Sequence, residues 1–567
     1  TTLFRSSVLE MMKCNRLFSV MLGCMMSVMA FAQQNDYDFN VGKNMEMFTA
    51  VYKILDMLYV DTLDADKVIG TGINAMLRSL DRYTEYYPAD VTKGLKYQLT
   101  GKYAGIGSVI RYNFKEGYSY IDEPYLGMPA AEVGLKKGDL ILAINDSTMK
   151  GKETQYVSDH LRGDVGTSFI LKIKRPSTGK VMKFKVTRKL IQTPAVPYYG
   201  LLNDSVGYIQ LQSFSEGSSK IFRNAVIEMK QKGMKGLVFD LRGNGGGSES
   251  EAVNIVNVFV PKGKLIVSNR GKLKRANRDF LTQVEPVDTV MPLVVLVNGE
   301  SASASEITSG ALQDLDRAVI MGTRTYGKGI VQTVLELPYN AQMKLTTNKY
   351  YIPSGRCIQA RNFRKTDGED REELVKDSLA KTFFTVNGRK VKDAGGVQPD
   401  VEVKPDSMPN ISYYLVAMRD SSEVLLGYVL DYIASHKTIA PAADFEISDS
   451  EFEDFKKRVV ESNFKYDPIS ENTFKSLVDV AKFEGYYDDA KEEFEALEKK
   501  LRHDVGKEME KAKVSIKRLL ASQIVSAYYY QEGAVRNSLR TDKITGEALK
   551  LLADKARYSE LLMPKAE

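Results

Sequence analysis

The sequence predicts a multidomain protein of the α+β and α/β classes, with helical segments at both ends and β-containing domains between them. Its 567 residues exceed what one hydrophobic core normally organises, so several domains are expected. Apolar residues recur at three- and four-residue spacing near both ends, which is the pattern of amphipathic helices. Between the ends, short apolar runs stop at glycine clusters, as strands do where they enter turns.

The composition excludes several function classes. The formal net charge is only +6, so no concentration of positive charge indicates a nucleic-acid partner. Once the N-terminal signal described next is removed, Cys357 is the remaining cysteine. This excludes an internal disulfide and offers no cysteine-based metal site. We expect neither a metal nor another cofactor.

Residues 1–32 are predicted to be a cleaved signal peptide, with an upstream extension before its basic region. Lys13 and Arg16 precede an apolar run that ends in the small-residue pattern Ala30-Phe31-Ala32. A permanent anchor is disfavoured because the run is shorter than the ~20 residues of a membrane span, and a lipoprotein attached through Cys24 is a minor alternative. We expect export to the periplasm and membrane contact only through this signal, with secretion or membrane association left open.

Residues 33–95 are predicted to form an N-terminal helical domain. Phe48, Val51 and Leu55 recur at helical spacing and therefore share one face of a helix. The expected role of that face is packing within the chain or formation of a homodimer.

A short glycine-containing loop, Gly105-Ile106-Gly107, begins the next region. Glycines allow successive backbone N–H groups to converge on an anion. With the later run PAAEVGLKKGDLILAIN at 129–145, the loop resembles a PDZ domain, predicted over residues 96–190. The resemblance implies that a protein's free C-terminus binds by strand addition, with its carboxylate at Gly105, Ile106 and Gly107. A PDZ domain with a closed groove is the alternative.

Further along, a strand, a turn and a serine at a helix start follow one another. Residues 293–297, LVVLV, are suited to a buried strand. Asn298-Gly299-Glu300 then forms a turn, and SASAS at 301–305 leads into a helical pattern. In such an arrangement the hydroxyl stands clear of the strand, and the unpaired N–H groups of the first helical turn face a developing oxyanion.

Glycines mark two other stretches of this region. In residues 237–248, LVFDLRGNGGGS, a buried strand ends in a glycine cluster, so backbone amides can approach a ligand closely. The cluster lacks the G-K-[ST] ending of a phosphate loop. Lys328 lies between Gly327 and Gly329. The two glycines give the backbone the conformational freedom to orient the lysine side chain.

Together these stretches resemble the catalytic core of the carboxy-terminal processing peptidases, the S41 family of Ser–Lys proteases. The resemblance implies a ClpP/crotonase-like αβ core, predicted over residues 191–420. It also implies that Ser303 is the nucleophile, Lys328 the general base and Gln332 the group that orients the lysine. Where many members have L-D-P-H-S, this chain has Leu80-Asp81-Arg82-Tyr83-Thr84, so no role is assigned there.

The resemblance further implies two oxyanion-hole amides. One is the N–H of Ala304, and the other belongs to Gly245 or Gly246. Asp314 and Glu306 also match family positions, and the Asp314 position is sometimes assigned to the charge relay. We favour structural roles for both, because an ionised carboxylate near the lysine would raise its pKa and oppose its action as a base.

The residues themselves also favour a lysine base. A serine hydroxyl needs a base within hydrogen-bond reach, and the three histidines, His160, His436 and His503, lie far from Ser303 in sequence. Lysine acts as a base only when neutral, so its pKa must fall from ~10.4 toward ~7–8 by burial.

Residues 421–567 are predicted to form a C-terminal helical domain. An apolar stripe from Phe494 to Leu519 runs among Glu and Lys residues, which predicts one long amphipathic helix. The sequence leaves three roles open for this domain, namely dimerisation, docking of an adaptor protein, and screening of the active site.

The sequence as a whole predicts an exported serine endopeptidase that cleaves protein substrates near their C-termini, with PDZ recognition of the substrate tail. One alternative is a catalytically silent or adaptor-activated PDZ scaffold protein. Another is a helical assembly protein that depends on residues beyond 420 and not on Ser303.

Overall fold

The computed structural model describes most of the chain, in the ranges 37–89, 91–92, 102–362, 373–417, 423–462, 464, 469–501 and 504–564. The predicted signal peptide lies outside these residues. No helix in the described part of the chain is both long and apolar enough to span a bilayer. The chain divides into two compact units, Thr1–Arg78 and Ser79–Glu567.

The described part of the first unit, residues 37–78, contains two helices, residues 37–58 and Ala65–Arg78. The ring of Phe48 in the first helix lies 3.8 Å from the position that a Cβ on Gly72 would occupy in the second. The N-terminal helices predicted from the sequence are confirmed, but Glu85–Tyr87, inside the predicted helical domain 33–95, form a strand. The role of these helices in packing or dimerisation stays a prediction.

Residues 102–192 of the second unit form an antiparallel β-domain that has the features of a PDZ fold. Its strands lie in the order Ser108–Asn113, Tyr118–Pro124, Leu140–Ile144, Ser168–Arg175 and Lys180–Thr187, with Ser147–Thr148 paired to the third of them. Lys102–Gly105 and Lys189–Gln192 form a separate antiparallel pair. The helices Pro129–Glu132 and Thr154–Leu161 complete the domain, whose core is made of buried aliphatic side chains.

The catalytic region is built on a six-stranded sheet. Its strands lie in the order Tyr198–Leu201, Val206–Gln210, Gly236–Asp240, Leu293–Val297, Val319–Gly322 and Val401–Glu402. The first pair is antiparallel and the others are parallel. Because a parallel sheet needs cover on both faces, helices pack on each side of it.

The two faces of this sheet are covered by different parts of the chain. One face packs on the helices Ser218–Gln231, Glu249–Val256 and Ala304–Asp314. The other packs on Lys543–Ala553 and Lys555–Leu561 near the C-terminus. The last helices therefore pack on the catalytic sheet, although they fall within the predicted domain 421–567. The predicted boundary at 420 stays a prediction.

A second sheet lies beside the first. It joins Glu85–Tyr87, Gln342–Tyr351, Leu265–Gly271 and Arg278–Leu281, and Ile330–Glu336 also pairs with Gln342–Tyr351. Two small antiparallel pairs are Arg361–Asn362 with Glu373–Leu374 and Thr382–Phe384 with Lys390–Lys392. Short 3-10 turns occur at Lys274–Ala276, Pro338–Asn340 and Asp377–Leu379.

The remaining C-terminal helices are Asn410–Ala417, Val424–Ser435, Asp449–Glu461, Ile469–Glu484, Lys491–Leu501, Val505–Lys511 and Lys513–Leu539. The prediction of one long helix through the stripe from 494 to 519 is wrong. Asp504 caps a new helix by accepting from the N–H of Lys507, and a second break falls at Ala512. Met509, Ala512 and Ile516, on either side of the second break, belong to one buried core.

Candidate active site

Ser303 lies at the start of a helix that follows a buried strand and a turn, as predicted. The strand Leu293–Val297 is buried at every position, and Ser303 is the N-cap of the helix Ala304–Asp314. Its φ of 56° is in the left-handed region, which non-glycine residues adopt at a cost and often at functional sites. The buried hydroxyl of Tyr350 donates to the Ser303 carbonyl at 3.3 Å and so helps to fix this turn.

The glycine loop lies directly against Ser303. Gly246 has a φ of 103°, and a Cβ there would lie 2.7 Å from the Ala302 carbonyl oxygen and 2.8 Å from the Ser303 Cβ. Its N–H already donates to the side-chain oxygen of Asn244, at 2.8 Å. Gly245 has open space at its Cβ position. No described residue accepts a hydrogen bond from the N–H of Gly245 or of Ala304. Gly245 is exposed, whereas Ala304 is buried.

Asn244, to which the sequence-based prediction gave no role, ties three segments of the site together. It is fully buried, and its side-chain N–H donates to the Leu211 carbonyl at 2.7 Å. Its own carbonyl accepts from the N–H of Ala302 at 3.0 Å and from the Ser305 hydroxyl at 2.8 Å. The glycine loop and the Ser303 turn are therefore held at a fixed distance.

Glu306 connects the Ser303 helix to the loop that carries the lysine. Its fully buried carboxylate accepts from the N–H groups of Ser303, Gly327 and Lys328 at 2.9, 2.7 and 2.8 Å. The Thr325 hydroxyl also donates to it, at 2.5 Å. Burial raises the pKa of Glu306, and these four hydrogen bonds oppose that rise. The contacts support the structural role favoured from the sequence.

Lys328 is half-buried, and its ammonium nitrogen lies 4.4 Å from the centre of the Tyr83 ring. Burial, followed by the positive charge of Lys344, lowers the pKa of Lys328 to about 8. The negative charges of Glu306, Asp81 and Glu85 act in the opposite direction. Among the described residues, no hydrogen bond joins this ammonium to the Ser303 hydroxyl.

The side chains of Gln332 and Asp314 contact residues other than Lys328. The Gln332 side-chain N–H donates to the Thr346 hydroxyl on the facing strand, at 3.3 Å. The role of Gln332 in orienting the lysine stays a prediction. Asp314 is at the far end of the Ser303 helix, where it forms a buried ion pair with Arg356 at 2.8 Å and accepts from the Ser354 N–H at 3.0 Å.

The predicted carboxylate-binding loop lies between two strands of the PDZ domain. Gly105 ends the strand Lys102–Gly105, Ile106 is buried in the domain core, and Gly107 has a φ of 68°. The next strand, Ser108–Asn113, is at the edge of its sheet and pairs on one side, within the described residues.

Comparisons with known proteins identify the family. The sequence profile of peptidase family S41 matches residues 205–366, a PDZ profile matches 120–175, and a profile described as "Probable PDZ-protease, C-terminal helical domain" matches 411–552. A carboxy-terminal-processing protease of Bartonella bacilliformis is 34% identical over 344 residues, which is 60% of this chain and 78% of that protein. The chain belongs to the S41 family of carboxy-terminal processing peptidases.

Other members of the S41 family are also similar to the chain. A relative from Staphylococcus aureus, named "Probable CtpA-like serine protease", is 33% identical over 326 residues, covering 57% of this chain and 64% of that protein. A solved structure, the photosystem II D1 C-terminal processing protease, is 25% identical, with a TM-score of 0.36 and coverage of 64% of this chain and 88% of that one. As an S41 peptidase, the chain is a serine protease, and its predicted fold class is confirmed.

In this S41 peptidase, sequence reasoning missed two residues at the site. Asn244 lies inside the glycine cluster, and its position between Gly243 and Gly245 was the signal available. Tyr83 falls in the stretch where the chain departs from the family wording. No local pattern links Tyr83 to a lysine that is 245 residues further along the chain.

Proposed function

We propose that this S41 peptidase is an exported endopeptidase that cleaves protein substrates near their C-termini through Ser303 and Lys328. The observation that carries the proposal is the environment of Lys328. Its amine is sheltered, with a pKa lowered to about 8, and its loop is joined to the Ser303 helix through the buried carboxylate of Glu306. A lysine with such a pKa is a competent base near neutral pH.

In the proposed reaction, the neutral Lys328 amine takes the proton of the Ser303 hydroxyl as the serine oxygen bonds to the scissile carbonyl carbon. The C–N bond of the tetrahedral intermediate then breaks, and the ammonium of Lys328 returns the proton to the leaving amine. Water attacks the resulting ester by the same route and frees Ser303. The Ser303–Lys328 contact forms in the substrate complex, since catalytic hydrogen bonds are often long before substrate binds.

The oxyanion of that intermediate is proposed to accept from the N–H groups of Ala304 and Gly245. Gly246 is less suited, because its N–H is engaged by Asn244. The role of Gly246 is steric, since its lack of a Cβ lets the loop approach Ser303. A pair of fixed amide donors of this kind typically contributes several kcal/mol to stabilising the transition state.

The PDZ domain is proposed to bind the substrate's free C-terminus. The tail would extend the sheet at the edge strand Ser108–Asn113, with its carboxylate at the loop Gly105–Gly107. The same domain is proposed to gate the active site by its movement. Export to the periplasm is proposed from the sequence of residues 1–32 alone.

The test is cleavage of an unfolded reporter protein with a free or an amidated C-terminus by the full chain. Wild type should cleave, and should do so faster for the free C-terminus, whereas Ser303→Ala and Lys328→Ala should not cleave. Cleavage by Ser303→Ala would refute the nucleophile assignment. Tail binding without cleavage by wild type would favour a catalytically silent or adaptor-activated PDZ scaffold.

A further inference from the structure

Tyr83 is the aromatic residue that covers the lysine amine. Its ring centre lies 4.4 Å from the Lys328 nitrogen, within the distance of about 6 Å at which a cation and an aromatic face attract. The Tyr83 hydroxyl donates to the hydroxyl of Tyr326 at 3.1 Å. The N–H of Tyr326 in turn donates to the Ser301 carbonyl at 3.1 Å, so the ring is joined to both the lysine loop and the serine turn.

The turn that carries Tyr83 is fixed by its own hydrogen bonds. One oxygen of Asp81 accepts from the N–H groups of Tyr83 and Thr84 at 2.7 and 2.9 Å, and the other accepts from the Thr84 hydroxyl at 2.9 Å. Thr84 is buried, and its hydroxyl accepts from the N–H of Thr346 at 3.2 Å. Glu85–Tyr87 then continue as a strand of the second sheet. The ring is therefore placed by the fold before substrate arrives.

No carboxylate of the described residues lies within ion-pair distance of the Lys328 ammonium. Of the charged groups that face it, Glu306 is turned to backbone amides, and Lys344 is paired with Glu85 at 2.5 Å. Asp81 is engaged with its own turn. Among the residues that the structure describes, the Tyr83 ring is the group found in contact with the ammonium.

We propose that Tyr83 is a positioning residue for the Lys328 amine, and that the turn of residues 81–84 is part of the active site. The inference rests on the proposed Ser303–Lys328 mechanism. The ring acts in two opposing ways: its face attracts the charged ammonium, whereas its bulk excludes water and disfavours the charged form. Substitutions separate these effects. Tyr83→Phe keeps the aromatic face and the bulk that excludes water. Tyr83→Leu keeps much of the bulk without the aromatic face, and Tyr83→Ala removes both.

The experiment measures the Lys328 pKa directly in the full chain. Lysines of wild type and of Tyr83→Phe, Tyr83→Leu and Tyr83→Ala are labelled competitively with acetic anhydride across pH 6–11, and Lys328 is quantified by peptide mass spectrometry. We expect Phe to retain the wild-type pKa. Leu should lower it by about half a pH unit, and Ala should raise it toward the ~10.4 of a solvated lysine.

Turnover of the unfolded reporter is the second readout. We expect Tyr83→Ala to lower kcat at least tenfold at pH 8 with little change in KM, because the amine is less often neutral and less well placed. Tyr83→Phe should remain within about threefold of wild type. Tyr86→Leu, the same chemical change three residues along, is the matched control and should keep the wild-type Lys328 pKa and turnover. Lys232, an exposed lysine, is the reference lysine. Thermal unfolding reports whether each variant is folded.

The inference is overturned if folded Leu and Ala variants keep the wild-type Lys328 pKa and turnover. It is also overturned if Tyr83→Phe behaves like Tyr83→Ala, because the hydroxyl rather than the ring would then place the amine. The labelling needs no proteolysis, so the two proposals can fail separately. If wild type does not cleave but the Lys328 pKa follows the ring, the proposed function fails and the role of Tyr83 stands.

Discussion

The serine side and the lysine side of this active site are built in different ways. Ser303 is surrounded by fully buried polar groups, with Asn244 and Glu306 each making several hydrogen bonds to neighbouring backbone. Lys328 is half-buried and faces the Tyr83 ring. The serine is thus fixed by a dense network of hydrogen bonds, whereas the amine is placed by an aromatic contact.

This difference indicates which part of the site determines folding stability and which part determines the pKa of the lysine. A network of buried hydrogen bonds contributes to folding stability, because a partner left unsatisfied costs about 1–3 kcal/mol. An aromatic contact to a partly exposed amine contributes less to the free energy of unfolding. Its main effect is on the pKa of that amine. We expect changes on the serine side to lower stability or block the nucleophile, and changes on the lysine side to alter the pH profile.

Glu306→Ala should have the largest effect, because it leaves two buried and two part-buried donors around the removed carboxylate without an acceptor. We expect a loss of about 4 kcal/mol in the free energy of unfolding, measured by chemical denaturation. Glu300, an exposed glutamate in the turn before the Ser303 helix, provides the control. Glu300→Ala should change the free energy of unfolding by less than about 0.5 kcal/mol. Equal stabilities for the two variants would contradict the network.

Asp314→Asn breaks the buried ion pair between Asp314 and Arg356. Neither side chain of this pair is more than 1% exposed. We expect a loss of about 3 kcal/mol in unfolding free energy, with no shift in the midpoint of the pH–rate profile. Arg324→Gln, in the exposed pair with Asp377, should lose less than about 1 kcal/mol. A shifted midpoint in Asp314→Asn would instead place this carboxylate in the proton relay.

Gly246→Ala should block the nucleophile, since the new Cβ would meet the Ala302 carbonyl and the Ser303 Cβ. A displacement of about 1 Å at a reacting group can lower the rate on the order of 100-fold, and we expect a loss of that size in kcat. Gly245→Ala is the matched control. It keeps the N–H and meets open space, so it should retain most activity. Equal losses in both variants would refute the steric role of Gly246.

Thr346→Val should have the smallest effect, because it removes one neutral hydrogen bond, the one from the Gln332 side chain. A bond of this kind is worth about 1 kcal/mol, so kcat should fall by no more than about fivefold. Thr333→Val, which removes an exposed threonine pair on the same hairpin, should leave kcat unchanged. A loss that equals that of Gln332→Ala would show that Gln332 acts through Thr346.

The sequence predicted the serine side well because its elements are local. The strand Leu293–Val297, the turn and the helix start at Ser303 each follow from neighbouring residues. The pairing of Tyr83 with Lys328 could not be predicted, because it depends on a sheet that joins segments more than two hundred residues apart. For a similar reason, the sequence did not predict that the helix Lys543–Ala553 packs on the catalytic sheet. Apolar spacing shows that a helix face is buried but not what it is buried against.

The most direct test of the central claim is the rate at which an activated p-nitrophenyl ester acylates Ser303 between pH 6 and 10. Lys328 must lose its proton to act as a base, so the rate in wild type should rise with pH through a midpoint near the Lys328 pKa of about 8. Lys328→Met, which keeps the length of the side chain without the amine, should react at least about 100-fold more slowly and show no such midpoint. If Lys328→Met is acylated as fast as wild type with the same pH profile, another group is the base and the Ser303–Lys328 assignment is wrong.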